Sequence, residues 1–265
     1  MVEVLPTICL TNDDGPNSIG LLRLAETIAQ NAQVVVVVPN EQRSGVGKAL
    51  TLGRPIRILS DSQKDGYRII IHDGFPADSV IIALSMIKKI DVFVSGINSG
   101  ANVGYHRMLT SGTVGAILEA ILNGYPGIAI SYAVSPVHWF SQEGVSDGIE
   151  SVCRTSAILV DHILDKGLPE GIDGLNVNFP AEYSEQGEVV FIQPSNIGVK
   201  NQIERRLDPY DIPYYWIRGG EEVTDENHDA KEVVKNGKIT ISPIIIRSVT
   251  DKHTQRIREH LRELF

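Results

Sequence analysis

Val34 to Val38 is an unbroken run of five valines, closed by Pro39-Asn40. β-Branched side chains are stiff at χ1 and suit strands. A strand with one wet face alternates apolar and polar residues, whereas one that is apolar throughout is covered on both faces. The run therefore predicts a buried strand of a parallel sheet with helices on either side. Its surroundings agree. Ile8-Cys9-Leu10 is a shorter apolar run, and between the two, within Pro16 to Gln30, Leu21, Leu22, Ala25, Ile28 and Ala29 recur at helical spacing. Strand, helix and strand within about thirty residues make a βαβ unit.

The same rhythm continues. Pro55–Leu59 and Tyr67–His72 read as an antiparallel hairpin across the polar turn Ser60–Gly66, inserted in the α/β core. Pro76–Lys88 reads as a helix, Asp91–Ser95 as a strand, and Gly96–Gly104 as a long Gly/Asn loop. Ser111-Gly112-Thr113 opens a helix that ends at Asn123-Gly124, Gly127–Ser131 is a strand, and Ser146 caps a long helix ending at Lys166-Gly167. Leu175–Asn178 is a strand stopped by Phe179-Pro180. From about residue 185 the alternation fades. Val189–Gln193 and Ile239–Ile246 read as strands around a polar region containing Tyr210, Tyr214, Tyr215 and Trp216, and Thr250–Phe265 as a final amphipathic helix carrying Ile257, Leu261 and Leu264. The expected architecture is α/β: a Rossmann-like, parallel or mixed sheet flanked by helices over 1–184, with 185–265 as a C-terminal extension. Its aromatic cluster suggests a subunit interface, a local minicore being the alternative.

Hydrophobic residues make up 42% of the 265, enough for a sizeable core. A net charge of −9 without a basic patch argues against a nucleic-acid partner, and leaves an anionic substrate in need of a local positive feature, such as a metal or a helix N-terminus. Cys9 and Cys153 read as buried free thiols, as in a reducing cytoplasm. The start of the chain lacks the pattern of a signal peptide, and no run is long enough to span a membrane. A cytoplasmic protein is expected.

Open parallel sheets bind ligands beyond the carboxyl ends of their strands. Asn12, Asp13 and Asp14 follow the first strand, Pro39, Asn40 and then Ser44 follow the valine strand, and Asn98 and Asn102 follow Val92–Ser95. Adjacent carboxylates repel, and two of them at a strand end suit a hard divalent cation; the alternative is a solvated turn with one aspartate capping the next helix. Two carboxylates with a hydroxyl and an amide oxygen favour Mg²⁺ or Mn²⁺ and, lacking His and Cys, disfavour zinc. Ser111-Gly112-Thr113 offers free N–H groups, hydroxyls and a helix dipole, the parts of a phosphate site, unless Ser111 or Thr113 is simply an N-cap. Gly96, Gly100 and Gly104 have the wrong spacing for a dinucleotide fingerprint. Ser44–Ala49 lacks the upstream Gly and final Ser/Thr of a P-loop, and no Gly-x-Ser-x-Gly elbow occurs.

Asn12-Asp13-Asp14-Gly15, Pro39 with Ser44-Gly45, Ser95-Gly96-Ile97-Asn98 and Ser111-Gly112-Thr113-Val114-Gly115 occur in that order. Leu175–Pro180, Thr224-Asp225 and Ile239–Pro243 follow them. In these motifs the chain resembles the survival protein SurE family of metal-dependent nucleoside-monophosphate phosphatases, over nearly its whole length. The resemblance implies metal ligands at Asp13, Asp14, Ser44 and Asn98, the set already reached from the strand ends. It also implies 5′/3′-nucleotidase activity, some exopolyphosphatase activity, and dimers or tetramers formed through C-terminal exchange. The chain departs from the family at Phe75 and Thr110, where Thr and Tyr are usual, and its Asn102–Ser111 loop is about a residue longer. These changes bear on substrate preference.

The expected chemistry is hydrolysis of a phosphate monoester by a metal-activated water. Asp13 or Asp14 would orient or deprotonate it, and Asn12, Asn102, Ser111, Gly112 and Thr113 would hold the phosphate. An aspartyl-phosphate route is a second option. His106 and, more weakly, His228 are candidates for the leaving-group acid. The alternatives in function are a broad-specificity acid phosphatase or exopolyphosphatase on the same site and, in another class, a non-catalytic nucleotide-binding protein.

Overall fold

The computed structural model describes residues 5–134, 146–185, 187–196, 201–218, 228–246 and 250–262. In chain order come β1 (Thr7–Thr11), α1 (Ile19–Ile28), β2 (Gln33–Pro39), β3 (Ile58–Gln63), β4 (Tyr67–His72), α2 (Pro76–Met86) and β5 (Val92–Ser99). Then follow α3 (Gly104–Thr110), α4 (Gly112–Leu122), β6 (Gly127–Tyr132), α5 (Ser146–Lys166) and β7 (Gly174–Phe179). The last part holds β8 (Val189–Phe191), β9 (Gln202–Leu207), β10 (Pro213–Arg218), α6 (Asp229–Val234), β11 (Ile239–Ile244) and α7 (Asp251–Leu261).

The valine run lies in β2 and is buried on both faces, as its composition requires. Val34, Val36 and Val38 pack with Ile8, Leu10 and Val94 beneath α1 and α5, which contribute Leu21, Leu24, Val152 and Val160. Val35 and Val37 join Cys9 and Phe93 on the opposite face, beneath Val80 of α2 and Val114, Ile117 and Ile121 of α4. Each such side chain, fully withdrawn from water, contributes ~1.5–3 kcal/mol. Cys9 and Cys153 are buried free thiols.

Nine strands form one sheet in the order β3-β4-β2-β1-β5-β6-β7-β11-β8. From β4 to β7 all neighbours are parallel, while β3 is antiparallel to β4 and β11 to β7. The sheet is thus mixed and mostly parallel, flanked by helices on both faces. From β1 the chain builds outward through β2 and β4, then returns past β1 to β5 and continues through β6 and β7. Beyond their carboxyl ends, β1 leads to α1 on one face and β5 to α4 on the other, so the strand order switches between them, and a crevice opens there.

Three segments differ from the sequence expectation. The hairpin's first strand is Ile58–Gln63 rather than Pro55–Leu59, and β4 continues the main sheet by pairing in parallel with β2. β3 is an edge strand, mostly exposed, so no apolar pattern marked it. β5 does not stop at Ser95. A bulge between Ser95 and Asn98 lets the strand rejoin β6 at Ser131 and Tyr132. Gly96 allows it: its φ is +134°, and a Cβ there would lie 2.3 Å from the Ile130 carbonyl oxygen. Finally, the loop before Ser111 contains α3.

β11 and β8 extend the main sheet, while β9 and β10 form a separate antiparallel pair. Ile203, Tyr215, Trp216 and Ile217 on that pair are more than half exposed, and α7 buries none of its residues. Leu264, the Thr224-Asp225 motif and the side chain of Ser146 lie outside the described residues. Among those residues, no helix is long and apolar enough to cross a membrane.

Candidate active site

Asp13 and Asp14 leave β1 in a turn fixed by Asn12. The Asn12 side chain accepts the Gly15 amide at 3.1 Å and donates to the Gly15 carbonyl at 3.3 Å, while Gly15 sits at φ +88°. The turn sends the two carboxylates to different partners. Asp13, 4% exposed, is gripped by the first turn of α4. Its Oδ2 accepts the Gly112 amide at 3.0 Å, and its Oδ1 accepts the Thr113 hydroxyl at 2.5 Å. Residue 112 must be glycine, since a Cβ there would lie 2.7 Å from that of Asp13. Asp14 accepts the Ser99 amide at 3.0 Å through Oδ2, and Gln42 also bonds to it.

Among the described residues, neither carboxylate is paired with a lysine or arginine. Burial pushes the Asp13 carboxyl up, against the hydrogen bonds from Thr113 and the α4 amides. Burial, with the charge of Asp13 second, pushes Asp14 to about 6. Two acids side by side, one buried and one half-buried, with no lysine or arginine paired to them among the described residues, suit a cation.

A cleft of about 420 Å³ opens over the pair. Asp13, Asp14, Ser44, Asn98, Asn102 and Ser111 all line it. Asn98 donates Nδ2 to the Gly100 carbonyl at 2.6 Å, and its Oδ1 has no partner among the described residues. The Ser44 hydroxyl also lacks a partner among the described residues. Two uncompensated carboxylates, a free hydroxyl and a free amide oxygen in one cleft fit a hard divalent cation.

The loop carrying Ser44 is tied to the body on both sides. Arg43 donates its amide to the Asp13 carbonyl at 2.7 Å, and Gly47 donates to Thr110 at 2.8 Å. Gly47 also packs directly on α4, where a Cβ at Gly115 would lie 2.2 Å from the Gly47 carbonyl oxygen. An ion pair between Lys48 and Glu119 of α4 closes the loop's far end.

Asn12, Gly112 and Thr113 do not line the cleft. They stand behind it, bonded to Gly15 and Asp13. Ser111 is an N-cap, accepting the Val114 amide at 3.3 Å, yet it also faces the cleft. Asn102 is anchored by Asn178, which accepts its amide at 2.7 Å, and by Ser131, which accepts from its Nδ2 at 3.0 Å. His106 is outside the cleft lining, and His228 is buried as the N-cap of α6. Sequence reasoning passed over Gln42 and Arg107, which line the cleft too, while Thr110, noted there only as a departure from the family, also lines it. Gln42 lies two residues before Ser44 and shared its loop. Arg107 and Thr110 lie on or beside α3, whose seven residues are too few to show helical periodicity.

The family model described as "Survival protein SurE" matches residues 8–202. The 5′-nucleotidase SurE of Archaeoglobus fulgidus is 39% identical over 241 residues, covering 90% of this chain and 91% of that protein. That of Thermofilum pendens is 38% identical over 240 residues and 89% of each chain. The crystal structure of the SurE protein from Aquifex aeolicus superposes with a TM-score of 0.76 at 31% identity, covering 96% of this chain and 99% of that one.

The raised pKa of Asp14 fixes the sign of a pH effect. Without a cation, the folded chain holds a proton that the unfolded chain releases near 3.8, so stability falls as pH rises from about 4 through about 6. In chelator, Asp14→Asn should flatten that slope and melt higher than wild type near pH 7. Thermal melts across this range check it, and parallel curves for the two proteins would contradict it.

Proposed function

Because the chain belongs to the survival protein SurE family, we propose that it is a phosphomonoesterase. It hydrolyses nucleoside 5′- and 3′-monophosphates to nucleoside and phosphate with one divalent cation, Mg²⁺ or Mn²⁺, per subunit. The observation that carries this reading is the Asp13–Asp14 pair, one buried and one half-buried, unpaired with any lysine or arginine among the described residues and opening into a cleft of substrate size. Asp13, Asp14, Ser44 and Asn98 would hold the cation. Bound there, it supplies Lewis-acid polarisation of a phosphoryl oxygen and a lowered pKa for water.

The chain's own residues divide the remaining work. Asp13 has both oxygens engaged by α4, so it is a fixed ligand and a fixed charge. Asp14 is bonded at Oδ2 by the Ser99 amide, and it is the carboxylate we assign to orient the attacking water and take its proton. Ser111 and Asn102, on the cleft wall, hold the phosphate. Asn12, Gly112 and Thr113 serve it indirectly, by holding the turn and Asp13 in place. The exposed apolar side chains of the β9–β10 hairpin support self-association into a homodimer or homotetramer. No polymer or membrane enters the reaction, which we place in the cytoplasm.

The expected outcome is metal-dependent release of phosphate from nucleoside monophosphates, abolished by chelator. Asp13→Asn should lower kcat/KM by about a hundredfold or more. No release with any divalent metal would refute the enzyme reading, and equal rates on p-nitrophenyl phosphate would favour the broader phosphatase. For self-association, light scattering should give at least twice the chain mass, with Trp216→Asp shifting it towards the monomer. A wild-type monomer at micromolar concentration would refute the interface.

A further inference from the structure

Resting on the phosphomonoesterase reading, we propose that Asp229, in the C-terminal extension, is a positioning residue for this reaction: its buried carboxylate holds the cleft wall that carries Asn102 and Ser111. Asp229 is fully buried and lies outside the cleft lining, so neither the cation site nor the phosphate contacts use it. Four donors converge on it. Its Oδ2 accepts the amide of Gly104, 125 residues away in the chain, at 2.6 Å. Its Oδ1 accepts the Ser195 hydroxyl at 2.7 Å, the Ser195 amide at 3.3 Å and the Ala230 amide at 3.0 Å.

These bonds secure the start of α3. The first amides of a helix have no partner within it. Val103, the N-cap of α3, has no side chain that could accept one. Gly104 donates to Asp229 instead, and Tyr105 donates at 2.9 Å to the carbonyl of Ser195, the residue that Asp229 itself holds. Val103 packs on Ala230 and Val233 of α6. On the other side, β7 holds Asn102: Asn178 accepts its amide at 2.7 Å, and Asn176 donates to its carbonyl at 2.8 Å. The wall is therefore clamped between β7 and the Asp229 cluster. At the far end of α3 the Ser111 amide donates to the Arg107 carbonyl at 2.9 Å, so a tilt of the first turn is carried to Ser111 in the cleft.

Ser195 and Asp229 also flank the β9–β10 hairpin in sequence. One carboxylate thus joins both flanks of the exposed apolar hairpin to the wall of the cleft. The C-terminal extension is part of the framework of the substrate site, where a displacement of about an ångström is costly.

The test uses the full-length protein loaded with Mn²⁺. Inorganic phosphate is titrated by calorimetry, KM and kcat are measured with a nucleoside monophosphate, and Mn²⁺ affinity is measured separately. Asp229→Asn keeps the shape, but whichever way its amide turns, an N–H group faces the donor of Gly104 or those of Ser195. It should weaken phosphate binding and raise KM by roughly tenfold, leaving Mn²⁺ affinity unchanged, because the metal ligands lie on other segments. Val160→Ala, in the core beneath α1 and α5, is the control for lost stability. It should lower the melting temperature and keep wild-type KM and phosphate affinity. Ser195→Ala, which deletes one hydroxyl, should shift both in the direction of Asp229→Asn by a smaller factor, and Ser195→Thr, which keeps the hydroxyl, should match wild type. That pair decides the matter if Asp229→Asn does not fold. Wild-type phosphate affinity and KM in folded Asp229→Asn, or failing that in Ser195→Ala, would overturn the proposal while leaving the phosphomonoesterase reading intact. An equal shift in Val160→Ala would also overturn it, by tracing the effect to stability. If the wild type hydrolyses no monoester, the enzyme reading falls, and phosphate affinity alone decides the inference.

Discussion

Two carboxylates on consecutive residues, one buried and one half-buried, cost folding free energy that no paired lysine or arginine among the described residues offsets. Hydrogen bonds reduce the cost. Asp13 receives the N-terminus of α4, where backbone dipoles favour an anion, and Asp14 receives the Ser99 amide at the end of β5. These contacts orient the charges without neutralising them. The rest of the site follows from this unfinished electrostatics: a free hydroxyl at Ser44, a free amide oxygen at Asn98, and a cleft between them.

The sheet makes such a site possible. β1 and β5 are neighbours whose following segments part to opposite faces, so the crevice between them is a property of strand order. The valine strand, packed on both faces, anchors one side of β1. Close backbone contacts then set the loops around the crevice. Gly96 permits the bulge that carries Asn98 to the strand end, and Gly115 lets the Ser44 loop lie against α4. A methyl group at either position would displace a residue of the site, not just a helix.

The sequence reading went furthest where a signal was local. Five valines in a row declare a strand covered on both sides, and alternating strands and helices declare the sheet class. Because each candidate residue lies at or beyond the carboxyl end of a strand, strand-end logic brought Asp13, Asp14, Ser44 and Asn98 together, and the structure places them on one cleft. It ran out where partners are distant or elements short. Nothing local indicates that Gly112 and Thr113 would turn their donors to Asp13, about a hundred residues away, instead of to a ligand. β3 was displaced because an exposed edge needs no apolar face. α3, with Arg107, stayed hidden because one short helix has too little periodicity to announce itself.

The central claim is that Asp13 and Asp14 are held together for a divalent cation. Anomalous diffraction from crystals soaked in Mn²⁺ tests it most directly. The account predicts an anomalous peak bonded to both carboxylates, with the Ser44 hydroxyl and the Asn98 amide oxygen completing the protein's share of the ligands. A saturating soak that leaves the pair without a peak, or places the metal elsewhere on the chain, would contradict it.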